Sequence, residues 1–342
     1  MAKGKYGGNM LLLAALIGFC ILAIVEIFHG QAQIKAERER LAIEEGNNQV
    51  RQALRIAWNN SKFDFGARAV EVMGAANKED GGSGPAEAER KYDMQIVFMG
   101  DNILDHDREN GGVASLIADA CNARVYNMAI GGTAAALLPG ESNSLETWQS
   151  RGLLGVVHAI AGDISPDIFN GYEAGEILKE CDFSETDYFV IEYGINDFLS
   201  GQVPQSIYLA NGDVLDMDTA HTYVGALEIA VALLHDHFPD AKILLISPHF
   251  CQIFEGEAYI GDAYSLNYGY GTLVDFARVT EYVETQDREG IVIFYNTIEY
   301  SGIDVLSAKE YLEDGVHLSE EGSRVYADYA SKLIKADFYR AE

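Results

Sequence analysis

The sequence predicts an α/β fold, a three-layer, doubly wound parallel sheet, preceded by a transmembrane helix and a helical stalk. Three observations carry this. Five short runs rich in Val, Ile, Phe and Tyr recur after residue 93. Strands apolar along their whole length are buried on both faces, as in a parallel sheet. Segments of helical spacing separate these runs, the alternation expected when helices cover both sides of such a sheet. The third observation is an apolar stretch near the start, long enough to cross a hydrocarbon core.

That stretch runs from Met10 to Phe28, about 19 residues, broken by Gly18, Cys20 and Glu26 and preceded by Lys3 and Lys5. Its length, and the poor small-residue match at Gln31-Ala32-Gln33, favour an uncleaved signal anchor over a cleaved signal peptide. Lys3, Lys5 and the amino terminus favour a cytoplasmic tip, although Lys35, Arg38 and Arg40 follow on the other side. The expectation is a single-pass protein of the cell membrane, residues 1–30, with its main domain outside the cytoplasm. Residues 31–76 read as a helical stalk. Within it Ile34, Leu41, Val50, Leu54 and Trp58 form a loose apolar stripe, and residues 31–60 are a candidate for self-association into a homo-oligomer. Residues 77–92, beginning Asn77-Lys78-Glu79-Asp80-Gly81-Gly82-Ser83-Gly84-Pro85, form a flexible linker.

The main domain is residues 93–342. Its predicted strands are Gln95–Met99, Arg124–Ala129, Tyr188–Tyr193, Ile243–Ser247 and Ile291–Tyr295. Its predicted helices are Gly112–Cys121, Ala220–His237, Leu273–Thr285 and Ser319–Lys335. Two insertions interrupt the alternation, near 198–220 and 255–271. The first contains Ala210-Asn211-Gly212-Asp213 between apolar residues, a hairpin signal over 206–217. The second is rich in Tyr and Gly.

Charge narrows the partners. Residues 1–92 hold twelve Lys and Arg against eleven Asp and Glu, whereas residues 93–342 hold twelve against forty-two. So acidic a domain repels nucleic acid and anionic headgroups. Of the four cysteines, Cys20 lies in the apolar stretch, which leaves Cys121, Cys181 and Cys251. Three thiols make at most one internal disulfide, and buried free thiols are the expected state.

Four short blocks stand at predicted strand ends or in the loop before the last helix. They are Gly100-Asp101-Asn102-Ile103-Leu104, Asn127-Met128-Ala129-Ile130-Gly131-Gly132-Thr133, Gly194-Ile195-Asn196-Asp197 and Asp314-Gly315-Val316-His317. Ligands of open α/β sheets sit at the carboxyl ends of the strands. In order and spacing the blocks resemble those of the SGNH (GDSL-type) hydrolases, a family of serine esterases, deacetylases and lipases with a flavodoxin-like fold. The resemblance covers residues 94–335. It implies His317 as general base, Asp314 as its carboxylate partner, and Gly132 and Asn196 as oxyanion donors beside the backbone N–H of residue 102. It also implies a serine nucleophile at position 102, where this chain has Asn102.

An amide is no nucleophile, so three readings of Asn102 stand side by side. In the first the protein is a pseudoenzyme, and the pocket survives in a cell-surface binding or assembly module. In the second it is a carboxylic-ester hydrolase with residual or water-mediated activity through His317 and Asp314. The third is an engineered or erroneous change. The first is preferred. Candidate ligands are an acylated glycan or a small ester, with Asp101, His249, Tyr264 and Tyr268 as candidate pocket residues. Asp101, Asp105, His106 and Asp107 cluster after the first strand, but they read as helix-start and solvated residues rather than metal ligands. No cofactor is implied.

Overall fold

The computed structural model describes residues 92–204, 219–268 and 270–340. The predicted anchor, stalk and self-association segment, the linker as far as residue 91 and the hairpin over 206–217 lie outside the described residues. Among the described residues, no helix is long and apolar enough to cross a membrane.

A five-stranded sheet forms the centre: β1 (Met94–Gly100), β2 (Ala123–Asn127), β3 (Tyr188–Glu192), β4 (Lys242–Ile246) and, last in the chain, β7 (Val292–Tyr295). The spatial order is β2-β1-β3-β4-β7, and every neighbouring pair is parallel. All residues of β1 and β3 are buried, which is why these strands read as unbroken apolar runs.

Helices cover both faces. α1 (Asn102–Asp105) is a single turn, and α2 (Val113–Cys121) packs against the last helix, α10 (Glu320–Phe338), to make one layer. α3 (Leu153–Ala161), α4 (Glu173–Glu180), the short α5 (Ile195–Leu199), α6 (Tyr223–His237) and α7 (Leu273–Gln286) belong to the other layer, where α3 packs on α6 and α6 on α7. Two single-turn helices, α8 (Thr297–Tyr300) and α9 (Ala308–Tyr311), lie between β7 and α10. Side chains close the orphan amides at several helix starts: Ser319 Oγ accepts from Gly322 N at 3.1 Å, and Thr222 Oγ1 accepts from Gly225 N at 3.2 Å.

Three features depart from the sequence reading. α3 and α4 fill the long β2–β3 connection, where no helix was expected. The 255–271 insertion starts as an antiparallel hairpin, β5 (Gln252–Glu255) and β6 (Ala258–Asp262), turning at Gly256 with φ +62°. Asp105, expected to be solvated, is buried. The three described thiols are free, with Cys121 and Cys251 buried and Cys181 half-buried.

Candidate functional site

The carboxyl ends of β1, β2 and β3 bring three of the four blocks together. β1 stops at Gly100, which pairs in register with Glu192 of β3. A Cβ at Gly100 would stand 2.9 Å from the Glu192 carbonyl oxygen, so glycine lets the two backbones approach. Asp101 then caps α1, its Oδ1 accepting from Ile103 N at 3.2 Å, and Asn102 becomes the first residue of that turn. After β2 the chain reaches Gly132 with φ +79°. After β3 it passes Gly194 with φ +128° and delivers Asn196 on α5.

The fourth block arrives from the loop before α10. Asp314 Oδ1 accepts from the backbone N–H groups of Val316 and His317, each at 2.9 Å, and its Oδ2 lies 2.7 Å from His317 Nδ1. Burial works against the charge on Asp314. The hydrogen bond from the His317 ring, with the two backbone donors, outweighs it and holds the carboxyl well below the usual range. Asp314 is therefore a carboxylate, Nδ1 carries the hydrogen, and Nε2 is left as an acceptor facing the site.

Asn102 occupies the centre of this arrangement. Its Oδ1 accepts from Gly132 N at 2.6 Å and from Asn196 Nδ2 at 2.9 Å. Its Nδ2 lies 3.2 Å from His317 Nε2 and donates to it. Asn196 Nδ2 is held in place by a second acceptor, the Thr133 carbonyl, at 2.8 Å. The two N–H groups expected to receive an oxyanion thus already receive the amide oxygen of residue 102, and the base already receives its nitrogen.

Residues that the sequence reading set aside, Asp105 and His106, and one it did not name, Arg108, hold this centre. Arg108 Nε donates to Asp105 Oδ1 at 2.6 Å. Its Nη1 donates to Glu173 Oε2 at 2.8 Å and to the Asn127 carbonyl at 3.0 Å, and its Nη2 donates to the Ala129 carbonyl. Asp105 Oδ2 in turn accepts from Gly131 N at 2.7 Å. The pair ties α1 to the loop that carries Gly132. The i,i+3 spacing of Asp105 and Arg108 was the available signal, but it does not tell a buried pair from a solvated one. His106 stacks on His317, with centroids 4.5 Å apart, and its Nε2 lies 3.1 Å from Glu313 Oε2. Nothing in the sequence pointed to that stack.

The four candidate pocket residues separate. Asp101 and His249 are fully buried, behind the site rather than at an opening. His249 Nε2 donates to the Val316 carbonyl at 2.9 Å, bracing the His317 loop, and burial pushes its ring down to about 4, so it is neutral. Tyr268 is also buried, against Phe198 at 4.9 Å, so it belongs to the core. Tyr264 is exposed, 5.9 Å from the Phe250 ring. Asp197, the last residue of the third block, is buried. Its oxygens accept from Ala135 N and Ala136 N at 2.9 Å each, and burial raises it to about 6. No group of His, Cys, Asp and Glu suited to a metal ion occurs among the described residues.

Beneath Asn102, Asp101 and Glu192 are both fully buried, and among the described residues Asp101 Oδ2 and the two Glu192 carboxyl oxygens meet no hydrogen-bond partner. Burial raises both carboxyls, Asp101 to about 7 and Glu192 well above its ordinary value, so Glu192 keeps its proton. Groups that take up protons on folding make stability fall as pH rises. Between about pH 4, near the ordinary carboxylate value, and about pH 7, the folded protein is expected to lose stability through this pair. The slope is at most about 1.4 kcal/mol per pH unit for each proton. Glu192→Gln keeps the side chain's shape without the second ionisation. Melting curves across this range should be flatter for the variant, and parallel curves would refute a protonated Glu192 in the folded protein.

No family model matches the sequence. No curated protein matches it. Solved structures do. One is matched over 71% of this chain and 96% of its own at 21% identity, with a TM-score of 0.50. A possible lipase from Chitinophaga pinensis is matched over 71% and 98% at 16% identity and 0.45. A family two carbohydrate esterase from Clostridium thermocellum, in complex with cellohexaose, is matched over 76% and 69% at 20% identity and 0.45. At these identities the likeness is one of fold alone: the five-stranded parallel sheet with helices on both faces.

Proposed function

We propose that this chain is an SGNH-hydrolase-like pseudoenzyme: a membrane-anchored module, facing outward, whose hydrolytic centre is filled by its own side chain. It acts by binding or assembly at the cell surface. The observation that carries this is the triple engagement of Asn102, with Gly132 N, Asn196 Nδ2 and His317 Nε2. A substrate carbonyl needs the same two donors that Asn102 Oδ1 holds, and a water needs the same nitrogen that Nδ2 covers. Residues 10–28 supply the anchor, residues 31–60 a self-association surface, and an acylated glycan or small ester is the ligand class the pocket suits.

A second reading, ester hydrolysis with water as nucleophile, draws on the intact pairing of His317 with Asp314 at 2.7 Å. The two readings separate on p-nitrophenyl acetate. The purified wild type is expected to turn over no faster than His317→Ala. A wild-type rate that disappears in His317→Ala would overturn the pseudoenzyme reading in favour of the hydrolase.

A further inference from the structure

We propose that Asn102 is itself a substrate of this centre: water activated by His317 hydrolyses its side-chain amide, once, to a carboxylate. The inference rests on the reading that Asn102 fills the hydrolytic site, and it turns a blocked centre into a modification site.

Hydrolysis of an acyl group asks for three things: donors at the carbonyl oxygen, a base near the reacting atoms, and a proton source at the leaving group. The Asn102 amide has all three. Its oxygen sits 2.6 Å from Gly132 N and 2.9 Å from Asn196 Nδ2, the two donors that would hold negative charge developing there. Its nitrogen, the leaving atom, is 3.2 Å from His317 Nε2, and Asp314 orients that ring from 2.7 Å. Asn102 and His317 are buried, at 5% and 9% exposure, and solvent comes nearest them at the exposed Gly132.

The step balances without any oxidant. Nδ2 first gives up its hydrogen bond to His317 Nε2, and the oxygen of water then bonds to Cγ of Asn102 while one of its protons passes to that nitrogen. The negative charge that develops on Oδ1 is held by Gly132 N–H and Asn196 Nδ2. His317 returns the proton to Nδ2, the Cγ–Nδ2 bond breaks, and ammonia leaves. The new carboxylic acid ionises, and ammonia carries its proton away as ammonium. The oxyanion hole and held geometry alone supply roughly 10³–10⁴-fold over water, so the event is slow and occurs once per molecule.

The common route of asparagine loss is closed here. That route needs the following backbone nitrogen to attack Cγ and form a ring, which opens to a mixture of aspartate and isoaspartate. Ile103 N instead donates to Asp101 Oδ1 at 3.2 Å, within a helical turn, and Ile103 is β-branched. Direct hydrolysis gives aspartate alone.

The test ages the full-length chain in warm neutral buffer for weeks and maps its peptides by mass spectrometry. Residue 102 is expected to gain the mass of amide-to-acid conversion, with no isoaspartate. His317→Gln should slow the conversion by about 10²-fold or more, and Asn196→Ala by a similar factor. The Asn-Gly pair at 211–212 converts by the ring route whatever stands at 317, and so confirms that ageing was sufficient. Melting curves establish that each variant is folded, and if one is not, the other decides. An amide intact at 102, equal conversion in the variants, or isoaspartate at 102 would each overturn the proposal. An inert amide leaves the pseudoenzyme reading standing, whereas wild-type ester turnover removes that reading first.

Discussion

Asn102→Ser is expected to gain ester hydrolysis and lose stability together. The substitution empties the space between Gly132 N–H and Asn196 Nδ2 and sets a hydroxyl near His317 Nε2, whose other nitrogen is already held by Asp314. Loss of the nucleophile costs a serine–histidine–aspartate site up to about 10⁶ in turnover. Even an imperfectly placed hydroxyl should therefore raise p-nitrophenyl acetate hydrolysis by roughly 10² or more. The cost follows from the same geometry. Asn102 accepts one hydrogen of the buried Asn196 amide, whose other hydrogen goes to the Thr133 carbonyl, and an unmet buried donor costs about 1–3 kcal/mol. A lower melting temperature with higher activity is the expected pair of results. A variant that is folded but as silent as the wild type would show that the donors or the base are misplaced for chemistry.

Gly315→Ala is expected to be the most damaging single methyl in the His317 loop. Gly315 has φ +93°, and an added Cβ would stand 2.2 Å from the Gln252 carbonyl and 2.9 Å from the Phe254 ring. Gln252 N also donates to the Gly315 carbonyl at 2.7 Å, so hairpin and loop are bonded at the point of the clash. Left-handed strain and overpacking together cost roughly 3 kcal/mol, or about 6–12 °C in melting temperature for a domain of this size. Gly290→Ala is the control. Its φ is +68° but nothing lies within 4 Å of its Cβ, so it bears the conformational cost alone, about 1 kcal/mol. Equal melting temperatures for the two variants would show that the hairpin does not brace the loop.

The parts legible in the sequence are those with a local signature. All five sheet strands were placed within two residues of their observed ends, because a strand buried on both faces is a short apolar run bounded by polar turns. α2, α6, α7 and α10 were legible from their periodic stripes. α3 was not: Leu-Leu-Gly-Val-Val-His-Ala-Ile-Ala is apolar nearly all round and shows no polar face to set a period. The members of the candidate site were legible as motifs, but their bonding was not. Asn102 takes its partners from 30, 94 and 215 positions away, and no window along the chain contains them. Arg108 and Glu192 escaped for the same reason, and His106 was read only as a solvated residue, since partners distant in the chain give all three their importance.

The pairing of Asn102 with His317 spans 215 positions, and this has a consequence for biosynthesis. At about 5–20 residues per second, Asn102 leaves the ribosome roughly ten to forty seconds before His317 is made. No partial chain holds both the base and the group it faces. The centre is incomplete throughout translation and any export that accompanies it, and it assembles only when the finished chain closes.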